Sequence, residues 1–273
     1  MGVIEQLSKS MRETGRVHIS KLKLKYHLVT FFTSPLWIFQ GICLKKVAVR
    51  LPEAAGERDF VERNCADEPY NKDNLENVHQ KTKPLNLLVL GDSVAAGVGC
   101  TTIQNALPGA VANELSLRNG AQVNTKVVAT SGFKLSDVIH SLSSVRDFNA
   151  DLVVISVGVN DAKGFTSLSK WQLQLERLLL TLQNNGENKQ IILLATPDLS
   201  KFPLIRKPLS SVLGLRAQLL NLISQFIVSD MDNVHFHRAE FNLSEVNALF
   251  ATDGFHPNSE ACRQIAVSIA DFY

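Results

Sequence analysis

Cysteine is scarce in this sequence, and its four copies, Cys43, Cys65, Cys100 and Cys262, are scattered. There is no C-x-x-C pair, which argues against a zinc knuckle or a dithiol redox motif. Four cysteines in 273 residues are also too few for a disulfide scaffold. An excess of one charge is missing too. The 28 Lys and Arg against 26 Asp and Glu leave +2, so no global basic field points to nucleic acid. Neither an internal repeat nor a low-complexity tract is present. What is plentiful is apolar residues, 45% of the chain, enough for one large domain with a substantial core.

The composition divides into three zones. Residues 1–50 form a basic N-terminal segment, with Arg12, Arg16, Lys21, Lys23 and Lys25 before the uncharged apolar stretch 28–44, and Lys45, Lys46 and Arg50 after it. Residues 51–84 are polar, mixed in charge and without periodicity, which reads as a linker or a wrapping loop. From residue 85 to 273 short apolar runs alternate with longer helical patterns. "LNLLVL", "TKVVAT", "DLVVISVG", "QIILLAT" and a weaker "NVHFH" read as buried strands. Helical patterns cover 103–118, 135–146, 168–184, 210–229 and 257–271. Pro108 either interrupts the first or marks its first turn, and Pro257 is expected in the first turn of the last. Such alternation means a parallel sheet covered on both faces, with its ligand site beyond the carboxyl ends of the strands.

The residues after each strand carry chemistry. Gly91-Asp92-Ser93 follows the first, Ser131-Gly132-Phe133 the second, "GVND" (158–161) the third and Pro197-Asp198 the fourth. "DGFHP", with Asp253 and His256, precedes the last helix. A phosphate-binding P-loop would need a Gly-Lys-[Ser/Thr] ending, yet Gly97 is followed by Val98. The glycines at 91, 97 and 99 do not fit G-x-G-x-x-G either. A nucleophile fits better. Ser93 needs a base to take its proton, His256 can be that base, and Asp253 can orient the imidazole. The oxyanion formed on attack needs donors. The backbone N–H of Ser93, that of Gly132 and the side-chain amide of Asn160 are candidates.

"GDS", the glycine after the second strand, "GVND" and "DGFHP" occur in the order of the SGNH (GDSL-type) hydrolases, which this sequence resembles over about residues 50–273. "RLPEAAG", "GDSVAAGVG" and "DGFHP" resemble most a bacterial, lysophospholipase-like branch. The resemblance implies an α/β fold, a flavodoxin-like three-layer α/β/α sandwich with a five-stranded parallel sheet. It implies Ser93 as nucleophile, His256 as base and Asp253 as its partner, with Ser93, Gly132 and Asn160 as the oxyanion hole. The acyl-enzyme chemistry expected of these residues takes a small-molecule ester substrate and needs no cofactor or metal.

Other readings compete residue by residue. Ser93 could be a helix N-cap, Asn160 a turn residue, and Asp92 and Asp161 structural acids bonded to loop backbone. His235 and His237 alternate like a zinc pair, yet lack a nearby third ligand and read as ordinary strand residues. Cys100 reads as a small buried residue near the site. The loop 197–210 mixes apolar and basic residues. With Phe133, its Phe202 and Pro203 are candidate substrate contacts, and a plain surface loop is the alternative. The expected function is a serine esterase acting on lipid-like or short acyl esters, lysophospholipids among them. The alternatives are a carbohydrate O-deacetylase of the same fold, which would want aromatic platforms near the site, where Trp171 is the one tryptophan of the catalytic region, and a non-catalytic membrane-associated scaffold. Membrane contact through 28–44 is expected, against packing of that stretch on the domain as an extra helix. The 26 preceding residues are long for a signal-peptide n-region, and Gln6 stands where myristoylation wants Ser or Thr. A bacterial, membrane-associated or cytoplasmic location without cleavage is therefore expected. Oligomeric state is left open.

Overall fold

A computed structural model of the chain describes residues 2–63, 83–184, 189–239 and 246–273. Its centre is a six-stranded sheet in the order β1-β3-β2-β4-β5-β6. The strands are β1 (Asp59–Glu62), β2 (Leu85–Gly91), β3 (Val123–Ala129), β4 (Leu152–Ser156), β5 (Gln190–Leu194) and β6 (Val234–His237). Strands β2 to β6 pair in parallel, as their apolar runs lead one to expect. Side chains alternate between the two faces with the strand period of two. Leu88, Leu90, Val153 and Ile155 enter one core with α6 (Leu168–Gln183) and α7 (Leu209–Val228). Leu87, Val89, Leu152 and Val154 enter the other with α3 (Leu107–Asn119) and α8 (Ser259–Phe272). Helix α4 (Leu135–Ser141) lies on the α6 side, and α5 (Val159–Lys163) is a short turn leaving β4.

The expected five-stranded parallel sheet is corrected by one strand. β1 joins the edge antiparallel to β3, from Asp59 opposite Lys126 to Glu62 opposite Val123. It escapes a pattern search because "DFVE" is four residues long, half of them charged, and is held by backbone pairing at an edge rather than by a buried apolar run. Upstream of it, Ala54 and Ala55 are tied to the domain by Ala54 N–H to Ala96 O and Ala55 N–H to Thr101 O, at 3.2 and 3.1 Å. Residues 64–82, the rest of the stretch read as polar linker, lie outside the described residues.

Two helix starts also differ. α3 begins at Leu107 with Pro108 in its first turn, where a missing N–H costs nothing. α8 starts after Asn258, whose side chain accepts from Ala261 N–H, so Pro257 lies before the cap rather than in the first turn. At the N-terminus α1 (Gly2–Phe32) and α2 (Ser34–Val47) meet at an 80° bend and rest on α7.

Candidate active site

Sheet order explains why the functional loops converge. The chain leaves β2 for β3 on one side and then returns to β4 on the other, so β2 lies between them. A crevice opens at the carboxyl end where the direction of winding reverses. Ser93 follows β2 there, flanked by the loop carrying Gly132 after β3 and the turn carrying Asn160 after β4. Ser93 does not cap a helix. It starts a run of tight turns over 93–99, closed by Ala96 N–H to Asp92 O and Val98 N–H to Ser93 O, both 2.9 Å, and the N-cap of α3 is Ala106.

His256 reaches Ser93 from the opposite end of the sequence. The Ser93 hydroxyl lies 3.0 Å from His256 Nε2, and His256 Nδ1 lies 2.6 Å from Asp253 Oδ2. The backbone N–H groups of Phe255 and His256 both donate to Asp253 Oδ1, at 2.9 and 3.0 Å, which fixes the carboxylate as well as the ring. All three residues are shielded, and Ser93 is 8% exposed. Burial pushes the Asp253 carboxyl up, but its hydrogen bonds from His256 and Phe255 outweigh that and hold it below the usual carboxylate range. Burial lowers the His256 imidazole, Asp253 raises it and Lys163 lowers it further by like charge, and the net shift is downward. The ring is therefore neutral near pH 7 and able to accept the serine proton.

The candidate donors for an oxyanion each keep an N–H to spare. Among the described residues neither Ser93 N–H nor Gly132 N–H has an acceptor. Asn160 Nδ2 spends one of its two hydrogens on Phe133 O, at 3.0 Å, which links the β3 and β4 loops and leaves the other hydrogen free. Gly132 has φ +94°, and a Cβ there would meet nothing within 4 Å, so its backbone borders open space. Gly99, by contrast, is required by crowding. With φ +99°, a Cβ would stand 2.5 Å from Pro257 O and 3.2 Å from His256 Cβ.

Asp92 and Asp161 brace the loops. Burial pushes Asp92 up to about 7, and its Oδ1 accepts from Val94 N–H at 3.2 Å. Asp161 is fully buried, accepts from Leu135 N–H at 2.9 Å and Thr166 Oγ1 at 2.8 Å, and so pins the β4 loop to the start of α4. Of the candidate substrate contacts, Phe133 is half-buried, Phe202 is buried and Pro203 is exposed. Phe202 packs edge-on against Phe250 and Phe255, ring centroids 5.1 Å apart in each case, and Phe255 in turn meets the His256 ring. Phe202 thus forms part of an aromatic wall behind the histidine rather than an open surface.

Two supports were not read from the sequence. Glu53 Oε1 accepts from Ser131 N–H at 2.6 Å, one residue before Gly132. Arg58 binds Glu53 at 3.0 Å and donates to Ala96 O at 3.1 Å, bridging the β3 loop and the Ser93 turn. The block "RLPEAAG" contains Glu53 and ends two residues before Arg58. Cys100 and Cys262 also come together, thiols 3.8 Å apart. His235 bonds Gln190 and His237 bonds Ser268, each at 2.9 Å. Among the described residues no group of three or more His, Cys, Asp and Glu side chains is arranged to hold a metal ion.

Residues 89–264 match the family model described as GDSL-like Lipase/Acylhydrolase family. Among solved structures, the chain is similar to a lipase/acylhydrolase from Enterococcus faecalis, at 18% identity over 69% of this chain and 94% of that one, TM-score 0.54. It is similar to the psychrotrophic esterase EstA from Pseudoalteromonas sp., at 19% identity over 68% and 97%, TM-score 0.52. A Clostridium thermocellum family 3 carbohydrate esterase matches at 15% identity over 69% and 94%, TM-score 0.53. At such identities the structural likeness speaks for the fold alone. No curated protein matches the sequence.

Proposed function

We propose, from the premise that this chain belongs to the GDSL-like lipase/acylhydrolase family and is an ester-hydrolysing enzyme of the SGNH hydrolase fold, that it works as a serine esterase through an acyl-enzyme on Ser93. The observation that carries this reading is the continuous relay from Asp253 Oδ2 through both nitrogens of His256 to Ser93 Oγ, at 2.6 and 3.0 Å. Ser93 Oγ attacks the ester carbonyl while His256 Nε2 takes its proton. Asp253 stabilises the imidazolium and keeps the ring in place. The charge on the carbonyl oxygen is met by Ser93 N–H, Gly132 N–H and Asn160 Nδ2. His256 then protonates the departing alcohol, and a water activated by the same nitrogen releases the acid.

The substrates favoured are esters with a lipid-like or short acyl chain, lysophospholipids among them. Support comes from the apolar character of the walls around the histidine, where Phe202, Phe250 and Phe255 cluster. A carbohydrate O-deacetylase would want an exposed aromatic platform for a sugar ring. Trp171 is 1% exposed and bonded to Ser224, so it cannot act as one. A non-catalytic scaffold is disfavoured by a relay and donor set with every member in position. The test is a hydrolysis screen over p-nitrophenyl esters of rising chain length, lysophosphatidylcholine and acetylated xylan. Turnover of acyl esters with little release of acetate from xylan is expected. Xylan as the best substrate would reverse the assignment.

A further inference from the structure

The N-terminal helices present two different faces. The inner face is spent on the domain. Ile19, Leu22, Tyr26 and Val29 pack against Val212, Leu215 and Leu219 of α7. Tyr26 OH accepts from the buried Arg216 at 3.2 Å. Trp37 stacks on Phe165 at 5.2 Å, and Gln40 bonds both Lys207 O and Leu209 N–H, at 2.7 and 3.1 Å. The outer face is apolar and bare. Leu24, Leu28 and Phe31 follow at helical spacing along α1, and Leu36, Phe39 and Ile42 along α2, with Phe31 and Phe32 74% and 75% exposed at the bend. Of the seventeen large apolar side chains exposed among the described residues, ten fall between Val17 and Val49. A patch this concentrated on a folded surface marks something that covers it.

Charge says what covers it. From residue 17 to residue 50 there is no Asp or Glu, whereas Lys21, Lys23, Lys25, Lys45, Lys46 and Arg50 flank the apolar elbow on both sides. A water-facing surface of phenylalanines rimmed by lysines fits an anionic lipid surface. Length decides how it sits there. α2 has 14 residues, about 21 Å of helix, against a hydrocarbon core of about 30 Å. The 80° bend rules out one straight span with α1, and the inner face of both helices is already occupied. The other long apolar helix, α7, belongs to the domain core.

We infer that the α1–α2 elbow is an interfacial dock for an anionic bilayer, inserted by Phe31, Phe32 and Phe39 and held by the flanking lysines. The dock has a consequence for the site. Gln40 grips the loop that leaves β5, and Trp37 grips Phe165 in the segment that leaves β4 through Asn160. Both attachments are made to segments leaving the carboxyl edge of the sheet that bears Ser93, so the bilayer is brought to the flank of that edge. The dock itself stands whether or not the ester chemistry is right.

The test is flotation of the full chain with phosphatidylcholine vesicles, with and without about one-third phosphatidylglycerol. The chain should float with the anionic vesicles. Phe31→Ser/Phe32→Ser/Phe39→Ser should lower binding by about tenfold or more, and Lys45→Glu/Lys46→Glu should remove the preference for anionic lipid. Because the three phenylalanines are exposed, the triple variant should keep its melting temperature and its hydrolysis of a soluble p-nitrophenyl ester. Equal flotation of the triple variant, or no flotation of the wild type, overturns the dock. So does a dimer, seen by light scattering, that the triple variant dissolves without any vesicle binding. A melting temperature that collapses with the triple substitution would place the face inside the fold and overturn it as well.

Discussion

Glu53 Oε1 holds the backbone N–H of Ser131 at 2.6 Å, from a segment well upstream of the sheet's first parallel strand and on the far side of residues 64–82. The bond orients the peptide next to Gly132, whose own N–H is aimed at no protein acceptor among the described residues. A donor contributes to the transition state only while its direction is fixed, and small misplacements are costly.

Glu53→Ala should therefore lower kcat by about 10- to 100-fold while KM moves far less. Glu53→Gln keeps an acceptor for Ser131 N–H and should recover much of the loss. Steady-state kinetics on a p-nitrophenyl ester check this. Equal kcat in Glu53→Ala and wild type would reduce Glu53 to a surface contact.

Asn160→Ala removes the side-chain donor and its tie to Phe133 O. Turnover should fall by roughly 10² to 10³, the effect of losing one oxyanion donor. Stability should change little, because the residue is only half-buried. A rise in KM with kcat intact would make Asn160 a binding group.

The pH profile follows from His256. Its folded-state pKa lies below the ordinary 6.5, chiefly through burial, and only the neutral ring can accept the serine proton. Activity should therefore be full near neutrality and fall as pH drops through a midpoint under 6.5. Lys163 depresses that pKa by like charge, so Lys163→Gln should move the acid limb to higher pH. The checks are kcat/KM profiles of both proteins with a chain-length-matched ester. A wild-type midpoint above 6.5, or a shift to lower pH in Lys163→Gln, contradicts the assignment.

Gly99→Ala should destabilise the fold by about 1–3 kcal/mol, since it combines a positive φ with a clash against the Pro257 carbonyl. It should also lower turnover by displacing His256. Thermal melting and kinetics measure the two effects, and an unchanged melting temperature would mean that the turn adapts freely.

The central parallel strands were legible because they are short apolar runs that fill both cores by simple alternation, as Leu87 and Leu88 do on opposite faces. The residues after the strands were legible because parallel winding sends every such loop to one edge. β1 was not, since an edge strand with Asp59 and Glu62 in four residues draws its stability from backbone pairing, which composition does not report. Glu53 and Arg58 were missed for a related reason: besides pairing with each other, each reaches a backbone group far along the chain. Phe202 was identified as apolar and near the site, but only packing reveals that Phe250 and Phe255 enclose it. The apolar stretch 28–44 was ambiguous in sequence because contact with the domain and exposure to lipid ask for the same residues. The fold turns Trp37 inward onto the domain and leaves Phe39 exposed, the face on which the proposed dock rests.

Ser93→Ala tests the central claim most directly. The variant loses one oxygen at a position 8% exposed and keeps every backbone bond of its turn, so its melting curve should match that of the wild type. Its kcat on the best p-nitrophenyl ester should fall on the order of 10⁴-fold or more, the cost of removing a nucleophile from such a relay. Turnover within tenfold of the wild type, in a variant with that same melting curve, would contradict the acyl-enzyme mechanism.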